Sequence, residues 1–116
     1  MNWTPLQDEL QLNEIIENSN TTPQVIFKHS TRCSVSSMAK NRLDKNDAPE
    51  ATPFYFLDLI KYRHVSNKIA ESFSIRHQSP QILVINKGKC VFSESHSGIV
   101  FDEIEEAVMN FKTIKK

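Results

Sequence analysis

The alternation of apolar and polar positions divides the chain into predicted helices and strands. Near the N-terminus, Asp8 is followed at the third position by Gln11, which is a capping-box pattern at the start of a helix. An apolar stripe from residue 12 to residue 16 continues this helix. We expect it to end at about Asn18, where a run of turn-forming residues begins.

Four short runs of apolar or aromatic residues predict the strands of a sheet. The first run is nearly continuous, which is typical of a strand that is buried on both faces. A tight hairpin turn at residues 86–89 separates the third run from the fourth. The predicted strands are 24–28, 54–57, 81–85 and 90–93.

Three further segments carry apolar residues at helical spacing: residues 33 or 34 to about 46, 62–73, and 101 to the end. In the last of them, an acidic first turn and the lysines at 112, 115 and 116 match the helix dipole. The first two strands should be parallel because a helix connects them, and the last two antiparallel because a tight turn does. The sequence therefore predicts an α/β fold with a four-stranded mixed sheet (βαβαββα) and an additional N-terminal helix.

Length and composition indicate one small domain over residues 1–116. Lys and Arg together number 14, as do Asp and Glu, so the net charge points to neither a nucleic-acid nor a membrane partner. Residues 1–5 lack the basic and apolar regions of a secretory signal, and two cysteines are too few for a disulfide framework. We expect a cytoplasmic monomer with free thiols. Without a Cys-x-x-Cys or His-x-x-His cluster, we expect no metal.

Cys33 is the candidate reactive residue because it lies where a predicted strand meets a predicted helix. Only the thiolate attacks a disulfide, and a free thiol is mostly protonated at pH 7. The unpaired N–H groups and the dipole of a helix start favour the anion, and Arg32, His29 and Lys28 would add positive potential. The alternative is a buried, inert cysteine. Polar and basic neighbours favour the reactive interpretation.

The position three residues after Cys33, where a dithiol enzyme has its second cysteine, is Ser36. Cys33 therefore cannot close a Cys-x-x-Cys disulfide. A monothiol route is left, in which Cys33 takes over a thiol from a mixed disulfide and a second small thiol then releases it. Cys90 begins the last predicted strand, and we interpret it as a small, partly buried residue rather than a resolving thiol.

Two motifs resemble a known family. The stretch VIFKHSTRCSVS at residues 25–36 and the stretch IRHQSPQ at residues 75–81 are similar to the monothiol bacilliredoxin-like family, which is associated with the bacillithiol system. The resemblance covers nearly the whole chain and implies a thioredoxin-like fold. It also implies that Cys33 removes a low-molecular-weight thiol, bacillithiol or glutathione, from S-thiolated client proteins without a bound cofactor. One departure is Ser34, where thioredoxin-like sites frequently have proline.

The resemblance also implies a cis peptide bond between Ser79 and Pro80. Such a bond would leave the Ser79 backbone free to pair with an extended substrate. Around Cys33 the residues expected to bind substrate are Arg32, Ser34, Ser36, His77, Ser79, Pro80, His96 and Ser97.

His96 and Ser97 lie where the last strand should return to the Cys33 end of the sheet. The start of the last helix could there bind a carboxylate of a small thiol, as helix N-termini bind anions. A plain loop with a helix cap explains the same residues equally well.

Two functions of other classes remain open at this point. The chain could be a thioredoxin-fold binding module in which Cys33 is not turned over. It could also be a detoxifying reductase, for example of arsenate or a peroxide. That reductase would need a resolving cysteine close to Cys33.

Overall fold

The computed structural model of this protein describes residues 1–111, which contain five strands and four α-helices. The strands are β1 (Trp3–Pro5), β2 (Gln24–His29), β3 (Phe54–Asp58), β4 (Gln81–Asn86) and β5 (Lys89–Ser95). The helices are α1 (Glu9–Asn18), α2 (Ser34–Asp44), α3 (Arg63–Phe73) and α4 (Phe101–Phe111), with a short 3-10 turn at His96–Gly98. The lysines predicted for the end of the last helix lie outside the described residues.

The strands form one mixed sheet in the order β1-β3-β2-β4-β5. β3 is parallel to both β1 and β2, and β4 is antiparallel to both β2 and β5. The predicted parallel and antiparallel pairs are thereby confirmed. β2 ends, β4 begins and β5 ends at the same end of the sheet, which we call the Cys33 end because β2 leads into Cys33.

The predicted four-stranded sheet was wrong by one strand, because residues 3–5 add the edge strand β1. Three residues are too few to show the alternation that identifies a strand. Pro5 has no N–H to donate, and an edge strand tolerates it. Nε1 of Trp3 donates a hydrogen bond of 2.6 Å to Asp44 and so holds β1 against α2.

Each face of the sheet is covered by two helices. Alternate residues of β2 face opposite sides, and all six are buried, which confirms a strand enclosed on both faces. No helix within residues 1–111 has the length and apolar character needed to cross a membrane. The core on the α2 and α4 side includes Val25, Phe27, Ala39, Leu43, Ile104 and Val108. The core on the α1 and α3 side includes Leu12, Ile15, Ile26, Leu57, Val65 and Ile69.

Candidate active site

Cys33 is the N-cap residue of α2, and its side chain is half-buried. Its N–H donates to the carbonyl of Ser30 at 3.3 Å, and its own carbonyl accepts the N–H of Ser37 at 3.0 Å. The first turn of α2 contains no acidic residue among those described, so no carboxylate there offsets the positive end of the helix dipole. The Cys33 side chain thus stands at the positive end of the α2 dipole.

Ser36 is fully buried, although we expected it to contact substrate. Its Oγ accepts the backbone N–H of Ser30 at 3.0 Å and lies 2.6 Å from Nδ1 of His29. Ser36 therefore holds the loop that carries Cys33 and is corrected from a binding residue to an anchoring one. The signal was present in the sequence, because Ser36 shares helical spacing with the buried residues Ala39 and Leu43.

His29 does not contribute the positive charge expected of it. The residue is only 5% exposed, and its ring packs against Phe56 with ring centres 5.2 Å apart. Burial and the nearby Lys40 lower the pKa of His29 from its usual value, and Asp58 opposes them. The imidazole is accordingly neutral at pH 7 and acts as a hydrogen-bond partner of Ser36.

The peptide bond between Ser79 and Pro80 is cis, as expected. Pro80 is buried, and its carbonyl accepts the N–H of His96 at 3.2 Å. Because β4 begins at Gln81, this corner lies at the Cys33 end of the sheet. The hydroxyl oxygen of Ser79 is buried and has no hydrogen-bond partner within residues 1–111.

The remaining expected binding residues surround the same end of the sheet. Arg32 and Ser34 flank Cys33 and are exposed, and His77 is exposed in the loop before the cis bond. His96 and Ser97 are exposed in the 3-10 turn, which contacts α2.

The start of α4 is a poor place for a carboxylate. Its first turn carries Asp102 and Glu103, and both are exposed. These carboxylates already complement the helix dipole and repel a further anion. The start of α4 is therefore unfavourable for an anionic ligand.

Cys90 lies far from Cys33 along the sheet. Cys90 pairs with Ile85 on β4. Ile85 lies four residues, or about 13 Å, from Gln81, where β4 begins at the Cys33 end of the sheet. A disulfide needs Cα atoms within about 7 Å. The Cys90 thiol donates to the carbonyl of Phe92 at 3.3 Å, and burial raises its pKa. This placement argues against a resolving role.

A thiol at a helix start, without a second cysteine nearby, is the arrangement that monothiol exchange requires. Both cysteines are free. In the described part of the chain, no group of three or more His, Cys, Asp or Glu side chains could hold a metal ion.

Lys28, expected to add positive potential near Cys33, lies instead in the interior of the protein. It is fully buried on β2, and among the described residues its Nζ has no hydrogen-bond partner. Burial lowers the pKa of Lys28 to about 8. The run 24–28 was predicted to be buried on both faces, so the signal was available.

Comparisons with known proteins agree with this geometry. The family described as monothiol bacilliredoxin BrxC matches residues 4–104. A solved structure described as a candidate oxidoreductase with a thioredoxin fold is 25% identical, with 89% of this chain and 90% of that chain covered and a TM-score of 0.78. The thioredoxin of Malassezia sympodialis is 13% identical, with 97% of this chain and 92% of that chain covered and a TM-score of 0.74. The thioredoxin of Fasciola hepatica is 16% identical, with 93% of this chain and 98% of that chain covered and a TM-score of 0.69. The predicted thioredoxin fold is confirmed.

Proposed function

This chain belongs to the monothiol bacilliredoxin BrxC family, and from that premise we propose that it removes a low-molecular-weight thiol from S-thiolated client proteins in the cytoplasm. Its role is in thiol redox chemistry, and Cys33 is the nucleophile. The thiol that we propose is bacillithiol, and glutathione is the alternative. The protein acts as a monomer, without a bound cofactor.

The reaction takes place in two exchanges. The Cys33 thiolate attacks the small-thiol sulfur of the client mixed disulfide. A new disulfide forms between Cys33 and the small thiol, and the old bond breaks. Its electron pair leaves on the client sulfur, which takes a proton from water. A second small thiolate then attacks the small-thiol sulfur bound to Cys33, which releases a symmetric small disulfide and regenerates the Cys33 thiolate.

The observation that carries this proposal is the position of Cys33 relative to its neighbours. The thiol stands at a helix N-terminus without an acidic residue in the described first turn, which favours the attacking thiolate. Ser36 occupies the position of a second cysteine, and Cys90 is out of reach. Release of the bound small thiol therefore has to come from a second small thiol.

The client segment lies along the corner at Ser79 and Pro80. Within residues 1–111 the backbone of Ser79 forms no hydrogen bond with the rest of the chain. Its N–H and C=O groups can pair with an extended client segment in the manner of an added strand. This would place the client disulfide beside Cys33.

The test is the rate at which a model protein carrying either bacillithiol or glutathione loses that thiol. Cys33→Ser should abolish the reaction, and Cys90→Ser should retain most of it. The bacillithiol substrate should react faster than the glutathione substrate. If Cys33→Ser stays active, the proposal fails. If Cys90→Ser is inactive while its circular dichroism is unchanged, a two-cysteine mechanism replaces it.

A further inference from the structure

The buried lysine of β2 lies on the face of the sheet that α1 and α3 cover. Side chains two residues apart in a strand share a face, and Ile26 belongs to the core on that side. Leu57, which is opposite Lys28 on β3, belongs to the same core. The Lys28 ammonium group is therefore enclosed on the face that α1 and α3 cover, and nothing in the described part of the chain accepts a hydrogen bond from it.

Gln81 ties the loop before the cis bond to the same face. It is the antiparallel partner of Lys28, and such partners project to one side of a sheet. The Gln81 side chain donates to the carbonyl of Arg76 at 3.1 Å and accepts the N–H of Gln78 at 3.4 Å. The loop that carries His77 is thus held on the Lys28 side.

His77 and Arg63 extend this basic group to the surface. Nδ1 of His77 lies 3.4 Å from the hydroxyl of Ser66 on α3, and Arg63 begins the same helix. Arg63 lies three residues before Ser66, and residues three apart are neighbours on a helix surface, so Arg63 and His77 lie on the same side of α3. Burial and the positive charges of Lys28 and Arg63 lower the pKa of His77. Arg63 and His77 are exposed, and a ligand can reach them.

This cluster has no acidic partner in the part of the chain that is described. The salt bridges found there join Lys40 to Asp44 and Lys68 to Glu71. The buried hydroxyl of Ser79, two residues before Gln81, also has no partner among residues 1–111. A buried charge without a partner is unfavourable, and an anion bound nearby would offset it electrostatically.

We propose that Lys28, Arg63 and His77 form a subsite that binds the carboxylate of a carboxylate-bearing small thiol while its sulfur is exchanged at Cys33. This inference rests on the proposed function, because the small thiol is the substrate of that reaction. Arg63 donates to the carboxylate directly. When Ser66 donates to Nδ1 of His77, the other ring nitrogen carries the hydrogen and also donates. Lys28 lies beneath them and supplies positive potential.

The location of this subsite fits the exchange at Cys33. The loop at 76–78 leads directly into Ser79 and Pro80, which stand at the Cys33 end of the sheet. A small thiol held there by its carboxylate has its sulfur end free to reach that end. The acidic first turn of α4 offers no competing site, since Asp102 and Glu103 repel the same group.

The experiment compares two small disulfides that differ mainly in charge: the anionic 3,3′-dithiodipropionate and the neutral 2-hydroxyethyl disulfide. The reduced protein is mixed with each, and the rate of adduct formation at Cys33 is followed by intact mass. The wild type should react faster with the anionic disulfide, and added salt should reduce that preference.

Variants of the subsite residues test whether the preference for the anionic disulfide comes from the subsite. Arg63→Gln should lower the ratio of the anionic to the neutral rate by about two- to fivefold, which is the usual range for a single exposed charge pair. Lys28→Met should lower the same ratio. The rate with the neutral disulfide is the internal reference for each variant, because that disulfide carries no carboxylate for the subsite to bind. Lys45→Gln, at the far end of α2, removes an exposed charge outside the cluster and should leave the ratio unchanged.

Two results would overturn the inference in different ways. If the ratio is the same in the wild type, Arg63→Gln and Lys28→Met, while all react with both disulfides, the subsite is absent and the thiol exchange still stands. If the wild type reacts with neither disulfide at Cys33, the proposed function itself fails and the subsite fails with it. Arg63 is exposed, so its variant gives an answer even if Lys28→Met does not fold.

Discussion

The hydroxyl oxygen of Ser36 lies 2.6 Å from Nδ1 of His29 in the interior of the protein. The same oxygen accepts the backbone N–H of Ser30, so its own hydrogen can be donated to the neutral imidazole. These bonds join the end of β2 to the first turn of α2 and fix the loop that carries Cys33. The position that would hold a second sulfur in a dithiol site is used here to anchor the nucleophile.

We predict that Ser36→Cys converts the site into a dithiol. Residues three apart in the first turn of a helix are neighbours, and their Cα separation is within disulfide range. Under mild oxidation the variant should form an internal disulfide with Cys33, and intact mass and loss of free thiols should show it.

Met38→Cys is the matched control, because Met38 is exposed on α2 and lies five residues from Cys33, about 7.5 Å along the helix axis and beyond disulfide range. It should not form the internal disulfide. If Ser36→Cys also fails to form one, then Ser36 does not occupy the resolving position and the geometric basis of the monothiol mechanism is incorrect.

Cys90 should react slowly with alkylating agents at neutral pH. Burial raises its pKa, so the thiolate fraction is smaller than that of an ordinary cysteine and rises only at alkaline pH. The measurement is the rate of iodoacetamide labelling against pH in Cys33→Ser, which leaves Cys90 as the sole thiol.

The same variant unfolded in guanidinium provides the reference rate for Cys90. Labelling in the folded protein should be slower than in the unfolded protein throughout the neutral range. Equal labelling rates of the folded and unfolded protein at pH 7 would mean that the Cys90 thiol is neither shielded nor less acidic than an ordinary cysteine. The argument that excludes Cys90 from the mechanism would then lose this support.

Lys28 should make the stability of the protein depend on alkaline pH. Its pKa is about 8 in the folded protein and near 10.5 when unfolded. Between these values the unfolded chain binds more protons, so stability rises with pH in this window. Below about pH 8 the amine is charged in both states, and the full cost of burying it remains.

Lys28→Met removes this cost and keeps a side chain of similar length. At pH 7 the variant should have a free energy of unfolding higher by up to about 3 kcal/mol. That advantage should shrink as the pH approaches 10 in urea unfolding of both proteins. A difference in the free energy of unfolding that stays constant from pH 7 to pH 10 would contradict the conclusion that Lys28 is buried in its charged form.

Most of the fold followed from local pattern, and the exceptions have physical reasons. The period of the apolar residues predicted all four helices and β2 to β5, because each of these elements buries a continuous stripe or face. β1 was missed because three residues cannot show a period, and its pairing with β3 is a long-range event. Trp3 reaches its partner Asp44 only after the chain has folded.

The site was less predictable than the fold because its electrostatics depend on burial. The positions of Cys33 and of the cis bond at Pro80 could be identified from motifs. His29 and Lys28 were counted as positive neighbours of Cys33, although burial makes His29 neutral and encloses Lys28. Both residues lie in a strand that is enclosed on two sides, and only the packing shows which helices cover them.

The central claim is that Cys33 alone accepts the small thiol, and mass spectrometry tests it most directly. The reduced wild-type protein is exposed to bacillithiol disulfide or to glutathione disulfide, and the adducts are located by peptide mapping. We predict a single adduct on Cys33 with each disulfide, formed faster with bacillithiol disulfide, and no modification of Cys90. An adduct that appears first on Cys90, or an internal disulfide between Cys33 and Cys90, would contradict the account.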